Sequence, residues 1–215
     1  MSLPLIAAKT YEGLKDSAEV RKIVRNLTQK ISRNRDPIKR ARFVHDKISQ
    51  SIARLFEDEA VQKHVSCKKG CTACCHTQVS VTEDEAKLLA KHITKIPDFD
   101  WHRLLTQVEA KDNGDPFFDI PYEQRGCVFL DKQGECQVYE DRPSVCRSNH
   151  AVSHPKLCET KNGIFSKIRL LKTVTADLII YAYFKFSRNN GTLPYMLYKE
   201  LTEKKKKSLD RSFDS

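Results

Sequence analysis

Apolar residues recur at helical spacing along most of this chain, which predicts a mainly α-helical fold. A first helix is expected from about Leu14 to Ile31, and Asp36-Pro37 then provides a break and a new helix start. The next apolar stripe runs through Ile38, Ala41, Val44, Ile48, Ile52 and Leu55. Because amphipathic helices joined by a short break bury their apolar faces together, residues 14–66 are predicted to form an N-terminal antiparallel helix pair.

Capping signals divide the middle of the chain into shorter helices. Thr82 and Glu85 have the spacing of a capping box, which predicts a helix up to about residue 92 with a short alternating strand just before it. A further helix is expected from Asp98 to about Ala110, with Trp101 facing the core, and the turn residues 112–116 end it.

The C-terminal part carries the longest apolar stripe. It runs from about Ile164 to Ser187 and predicts a central packing helix. Charged residues within it exclude a bilayer span. A last helix is expected to begin at Leu193, so residues 161–208 are predicted to be C-terminal helices that pack on the core.

Two apolar runs around a glycine-containing turn predict a short β-hairpin between Cys127 and Tyr139. If its loop has two or four residues, Cys127 and Cys136 fall on the same face, whereas a loop of three residues would separate them. Pro143 then resembles a helix entrance, and the N-terminus of that helix is expected to lower the pKa of the Cys146 thiol.

The composition fits one soluble, helix-rich unit. The chain has 215 residues, of which 40% are hydrophobic and 31% charged, with only seven Gly and eight Pro. This length suits a single domain over residues 1–215. The first residues lack a basic leader and no later stretch reaches membrane-spanning length without charge, so we expect a cytoplasmic protein with no membrane association.

The chain is basic, with a formal net charge of +10. Nucleic acid or an acidic protein surface is compatible with this excess. The longest basic run, Lys204 to Lys207, fits a solvated tail better. A protein partner or protein substrate therefore stays open, and nucleic acid is not favoured.

Eight cysteines supply the candidate chemistry. In a reducing compartment, clustered thiols bind metal more often than they form disulfides. Four thiolates complete a zinc site or hold an iron–sulfur cluster, so eight allow two centres, or one centre with spare thiols. The candidate ligands, in a cysteine-cluster core of residues 67–158, are Cys67, Cys71, Cys74, Cys75, Cys127, Cys136, Cys146 and Cys158.

Groups beside these thiols refine the assignment. Because adjacent side chains tend to point apart, Cys74 and Cys75 are expected to serve different metal atoms or different centres. Arg142 and Arg147 are predicted to offset the negative charge of the centre. Weaker candidates for that role are Lys68, Lys69 and Arg125. With eight thiols present, the nearby histidines are not required as ligands: His76, His150 and His154.

The cysteines and their flanking residues resemble a known family. The resemblance is carried by the run from Cys67 to Cys75, by Thr82 with Glu85, and by the run from Cys127 to Arg147. Together these match the YkgJ-type cysteine-cluster family over roughly residues 67–158, although Val128 stands where many members have Pro. The resemblance implies a zinc- or iron-chelating domain.

A flagellin lysine methylase is similar over the same cysteine pattern. That similarity implies an alternative function, an iron–sulfur enzyme or subunit that acts in S-adenosylmethionine-dependent methylation of protein lysine. The chain has no glycine-rich nucleotide loop of the Rossmann type, which counts against a self-contained methyltransferase.

Further alternatives come from the cysteine spacing itself. Cys67, Cys71 and Cys74 have the spacing of the radical S-adenosylmethionine signature, but the alternating strands and helices of a barrel are absent from the sequence. A structural-metal binding module with a basic partner-binding surface is also compatible with the chain. Thioredoxin-like redox chemistry is disfavoured, because the only such cysteine pair lies inside a larger cluster. The sequence thus predicts a thiolate metal centre and leaves iron against zinc, and enzyme against binding module, open.

Overall fold

The computed structural model describes residues 3–68, 70–110, 115–161 and 166–213. Within them, ten α-helices and a single two-stranded sheet confirm the predicted mainly α fold. The helices are α1 (Leu5–Leu14), α2 (Ala18–Arg33), α3 (Pro37–Leu55), α4 (Glu59–His64), α5 (Glu83–Ile93), α6 (Trp101–Glu109), α7 (Asp115–Asp119), α8 (Ser144–Ser148), α9 (Val174–Phe186) and α10 (Leu193–Phe213). The strands are β1 (Ser80–Thr82) and β2 (Asn190–Thr192).

Helix α9 is the centre of one hydrophobic core. Every residue from Ala176 to Phe184 is buried, because nearly all of them are apolar and no face of the helix suits water. Helices α1, α2 and α3 all pack against it. Tyr11 of α1 stacks on Tyr181 with ring centroids 3.9 Å apart, and the Thr10 hydroxyl donates a 2.8 Å hydrogen bond to Asp177.

The N-terminal helices differ from the sequence prediction at one boundary and in their packing. The helix expected from Leu14 to Ile31 begins later, at Ala18, where Ser17 caps α2 by accepting a hydrogen bond from the Val20 N–H, and α1, which ends at Leu14, was not predicted. Helices α2 and α3 contact α9 more extensively than they contact each other. Apolar spacing shows which face of a helix is buried, but it does not show what covers that face.

The second hydrophobic core lies between α5, α6 and α10. Strands β1 and β2 pair antiparallel, with Ser80 opposite Thr192, and each strand leads directly into a helix of this core. The predicted capping box is confirmed. The Thr82 hydroxyl accepts the Glu85 N–H, and the Glu85 carboxylate accepts the Thr82 N–H, so α5 begins at Glu83.

The predicted hairpin is reduced to one isolated antiparallel bridge, between Leu130 and Cys136. The Asp131 carboxylate accepts the backbone N–H groups of Gln133 and Glu135, and Gly134 has a φ of 76°. This turn takes up the residues between the two apolar runs, and the backbone beyond the bridge forms turns rather than a ladder.

Two further predictions are wrong in detail. The helix expected from Ile164 begins at Val174, because Leu170 forms a bridge with Ala151 and the backbone there is paired with another segment. Ile164 itself and residues 112–114 of the predicted turn lie outside the described residues. Trp101 is not in the core: it is the first residue of α6 and is 52% exposed.

In the part of the chain that the structure describes, none of the helices has both the length and the apolar character of a membrane span. Helix α10 extends into the basic tail, and the side chains of residues 205–213 lie outside the described set.

Candidate metal centre

The loop that carries the first four cysteines is folded by two local turns. Gly70 adopts a φ of 85°, in the left-handed region that glycine favours, and the Cys71 N–H donates to the Lys68 carbonyl at 3.0 Å. Residues 73–76 then form a 3₁₀ turn, in which the Cys75 N–H donates to the Thr72 carbonyl at 2.8 Å. Because the two turns follow each other closely, the backbone of this loop is tightly folded and its thiols lie near one another.

Backbone hydrogen bonds join this loop to the later cysteine segments. The Cys127 N–H donates to the Cys75 carbonyl at 2.8 Å, and the Ser66 N–H donates to the Ala151 carbonyl at 2.9 Å. The Ala151 N–H donates in turn to the Cys67 sulfur at 3.2 Å. The two halves of the cysteine pattern therefore meet in space.

A cavity of about 460 Å³ lies where they meet. Five of the thiols line it, and they come from the first loop, from the segment around the Leu130–Cys136 bridge and from α8. We call these residues the cavity cysteines: Cys74, Cys75, Cys127, Cys136 and Cys146. Because several distant segments contribute sulfur to one wall, the cavity is the candidate metal centre.

The remaining thiols, which we call the rim cysteines, do not line the cavity. They are Cys67, Cys71 and Cys158. Burial raises the pKa of Cys67 and of Cys158, and in both cases the neighbouring thiol of Cys74 raises it further. Cys74 thus lies within electrostatic reach of the cavity cysteines and of the rim cysteines.

The adjacent thiols of Cys74 and Cys75 do not point apart, in contrast to the expectation from sequence. They form a hydrogen bond that lowers the pKa of Cys74 and raises that of Cys75, and the Asn149 side chain also hydrogen-bonds to Cys74. The tight 3₁₀ turn brings the two sulfurs together. Sequence reasoning missed Asn149, and its position three residues after Cys146, one helical turn away, was the available signal.

Burial, and not the N-terminus of α8, controls the pKa values of Cys127 and Cys146. It raises the pKa of Cys127 to about 12 and raises the pKa of Cys146 well above its ordinary value. The expected lowering at Cys146 is therefore wrong, because α8 is only five residues long and three other thiols lie nearby. A metal that binds here must displace protons from these sulfurs.

Arg142 lies in the cavity wall, above the Tyr139 ring at 3.8 Å. Its Nε is buried and has no hydrogen-bond partner among the described residues. Its charge acts to lower the pKa values of Cys74 and Cys136, although burial keeps the pKa of Cys136 raised overall. A cationic donor is thus available to sulfur inside the cavity.

The other basic candidates have different surroundings. Arg147 lies outside the cavity lining and donates to the carbonyl of Arg142, to that of Glu140 and to the Ser49 hydroxyl. Arg125 is buried and donates to the Thr160 carbonyl at 2.9 Å. Lys68 is exposed, and Lys69 lies outside the described residues.

The three histidines near the cysteines do not line the cavity: His76, His150 and His154. His76 stacks on Tyr122 with ring centroids 4.3 Å apart, and its Nδ1 lies 3.1 Å from the Thr72 carbonyl oxygen. Burial lowers the pKa values of His76 and His150. The imidazole nitrogens are therefore not among the groups that face the cavity, whose lining includes the five thiols and Asp177.

The cavity lining offers a soft donor set of five thiols. Across residues 3–68, 70–110, 115–161 and 166–213, no three cysteine, histidine or carboxylate side chains converge as the ligands of one ion do.

Comparison with known proteins gives one match. A family model described as "CxxCxxCC: Putative zinc- or iron-chelating domain" matches residues 66–168. This segment includes all eight cysteines and covers somewhat under half of the chain. No curated protein and no solved structure matches the chain.

Proposed function

We propose that this protein holds an iron–sulfur centre in the cavity and a second thiolate metal centre at the rim, a proposal supported by the match of residues 66–168 to the CxxCxxCC model of a zinc- or iron-chelating domain. The observation that carries the proposal is the lining of one cavity of about 460 Å³ by five thiols from separate segments. An iron–sulfur centre supplies one-electron transfer when bound.

The eight thiols divide into two sets of four. The cavity set is Cys75, Cys127, Cys136 and Cys146, and the rim set is Cys67, Cys71, Cys158 and Cys74. Assigning Cys74 to the rim is supported by its electrostatic contact with both Cys67 and Cys158. In this arrangement the hydrogen-bonded neighbours Cys74 and Cys75 serve different centres.

The number and origin of the cavity thiols suit a cluster. Five thiols from separate segments line the cavity, and an iron–sulfur cluster is held by four thiolates that bind separate iron atoms.

The basic residues fit the charge of such a centre. A centre with four thiolates is negative, and the buried, unpartnered Nε of Arg142 is free to donate a hydrogen bond to a sulfur. Arg147 supports this role indirectly, since it donates to the backbone carbonyl of Arg142 at 3.0 Å and so holds that residue in the wall.

Metal analysis of anaerobically purified protein tests the proposal. The expected result is brown protein with iron and acid-labile sulfide, together with broad visible absorbance. Colourless protein with stoichiometric zinc and no sulfide would support a structural zinc module and reject the iron–sulfur centre. Freshly isolated, chelator-free protein without any metal would reject both centres.

A further inference from the structure

Glu85 is the most completely enclosed carboxylate among the described residues, with 0% of the residue exposed. It lies in the first turn of α5 and uses both of its oxygens. Oε2 accepts hydrogen bonds from the Thr82 N–H at 2.9 Å and the Thr82 hydroxyl at 3.1 Å. Both bonds join Glu85 to the N-cap residue Thr82, and by themselves they would give Glu85 only the local role of capping α5.

The second oxygen reaches out of α5. Oε1 accepts the Ser144 N–H at 2.7 Å and lies 3.1 Å from Nε2 of His45, a buried residue of α3. Ser144 is the first residue of α8, and Cys146 follows two positions later. One carboxylate therefore connects α3, α5 and the helix that carries a cavity cysteine.

The Ser144 N–H is the contact that fixes the first residue of α8. The Cys146 N–H donates back to the Pro143 carbonyl at 3.0 Å, so its position follows that of the first turn. The Ser144 hydroxyl is buried and has no partner among the described residues, which leaves its N–H as the anchored group of that residue. Together with the hydrogen bonds of Arg147 to Ser49 and to the carbonyls of Glu140 and Arg142, this contact fixes the rotation of α8 about its axis and the direction of the Cys146 sulfur.

We infer that Glu85 is a positioning residue of the cavity centre, because its Oε1 holds the Ser144 N–H and so directs the Cys146 sulfur into the cavity. The inference rests on the proposed cavity centre. A carboxylate is required here, since it presents two acceptor oxygens, one for the capping box and one for α8. A glutamine amide has a single oxygen, so its NH₂ group would face the hydrogen-bond donors at one of these two contacts.

Two variants remove the contact from opposite ends. Glu85→Gln keeps the shape of the side chain and removes one acceptor. Ser144→Pro removes the donated N–H, at the first helical position where proline is favoured, and Pro143 before it already has a ψ of 151° that suits a following proline. Asp84→Asn is the matched control, because Asp84 is also buried on α5 but pairs with Arg40 at 2.5 Å and does not touch α8.

The measurement is the rate of iron loss to a chelator from full-length, iron-loaded protein, with visible absorbance and the thermal unfolding temperature recorded for each variant. We expect about ten-fold faster loss in Glu85→Gln and in Ser144→Pro, as is common for groups that orient metal ligands. The double variant should be no worse than either single variant, because both remove the same contact. Asp84→Asn should keep the wild-type rate even if it unfolds at a lower temperature.

Wild-type iron retention and an unchanged spectrum in Glu85→Gln and Ser144→Pro would overturn the inference and leave the proposed centre intact. Equal iron loss in Asp84→Asn would also overturn it, since the effect would then follow stability alone. Wild-type protein that holds no iron would instead reject the cavity centre itself.

Discussion

The cavity cysteines and the rim cysteines differ in what holds them. Cys127 and Cys146 are enclosed by packed turns and by α8, and burial raises the pKa values of both thiols. The rim thiols lie on a short loop that turns at Gly70 and on the 3₁₀ turn that ends at Cys158. The tight first cluster is divided between the two sets, whereas the widely separated Cys127, Cys136 and Cys146 all line the cavity.

This difference teaches that enclosure depends on the surrounding elements and not on the density of ligands along the chain. The cavity wall includes residues from both hydrophobic cores, such as Phe129 and Ile180. Burial raises the pKa values of Cys127 and Cys146, so these free thiols stay protonated until a metal displaces the protons.

The largest expected effect comes from removing one ligand of each set. Cys146→Ser should lose iron and acid-labile sulfide by about ten-fold or more, because one of the four proposed cavity ligands is deleted and the fifth thiol in the lining, Cys74, serves the rim centre. Cys158→Ser should keep the cavity iron and lose only rim metal. Metal and sulfide analysis of both variants checks this, and equal losses in the two would abolish the distinction between the sets.

Alkylation of metal-free protein provides a second way to distinguish the two sets of cysteines. Cys74 of the rim set, whose pKa is lowered to about 7, should react with iodoacetamide at least about ten-fold faster than Cys127, whose pKa burial raises to about 12, since only thiolates react. Peptide mass spectrometry over a time course gives the order, and denatured protein, in which all eight should react alike, is the control. Early labelling of Cys127 would show that the cavity is open.

A smaller effect is expected from Gly70→Ala. The added methyl group meets no atom within 4 Å, so the cost comes from the φ of 85° alone, about 1–2 kcal/mol for a residue with a side chain. Thermal unfolding of metal-loaded protein should show this loss, and rim metal should bind more weakly while cavity iron is unchanged. Gly13→Ala in α1, where φ is ordinary and space is open, should not destabilise. Loss of cavity iron in Gly70→Ala would contradict the independence of the two sets.

The smallest effect concerns the turn that precedes α8. Burial opposes ionisation of Asp141, but hydrogen bonds from Arg42 at 3.0 Å and with His92 at 2.9 Å outweigh it and lower the pKa of this carboxyl. A lowered folded-state pKa stabilises the protein above the unfolded pKa, and that contribution is lost as the pH falls through the folded pKa.

Asp141→Asn should therefore reduce the free energy of unfolding near neutral pH, and the difference from wild type should shrink below about pH 4. Denaturant unfolding at several pH values measures it. Asp46→Asn, on the exposed face of α3, is the control and should show no such trend. A difference that persists unchanged in acid would exclude the ion pair as its cause.

The sequence by itself determined the features that depend on neighbouring residues. Helix α3 begins at Asp36-Pro37 and α5 begins with the Thr82–Glu85 capping box, because a cap is made by groups three residues apart. The mainly α fold followed from the apolar period, and the zinc- or iron-chelating domain followed from cysteine spacing with its flanking residues.

Only the tertiary structure decided which distant groups meet. The pairing of β1 with β2, the solvent exposure of Trp101 and the second role of Glu85 depend on contacts that no local pattern encodes. The same holds for the division between cavity and rim, since packing of the two hydrophobic cores places Cys127 and Cys146 at the cavity. Spacing selects sulfur as the donor, and long-range packing fixes which sulfurs are enclosed together.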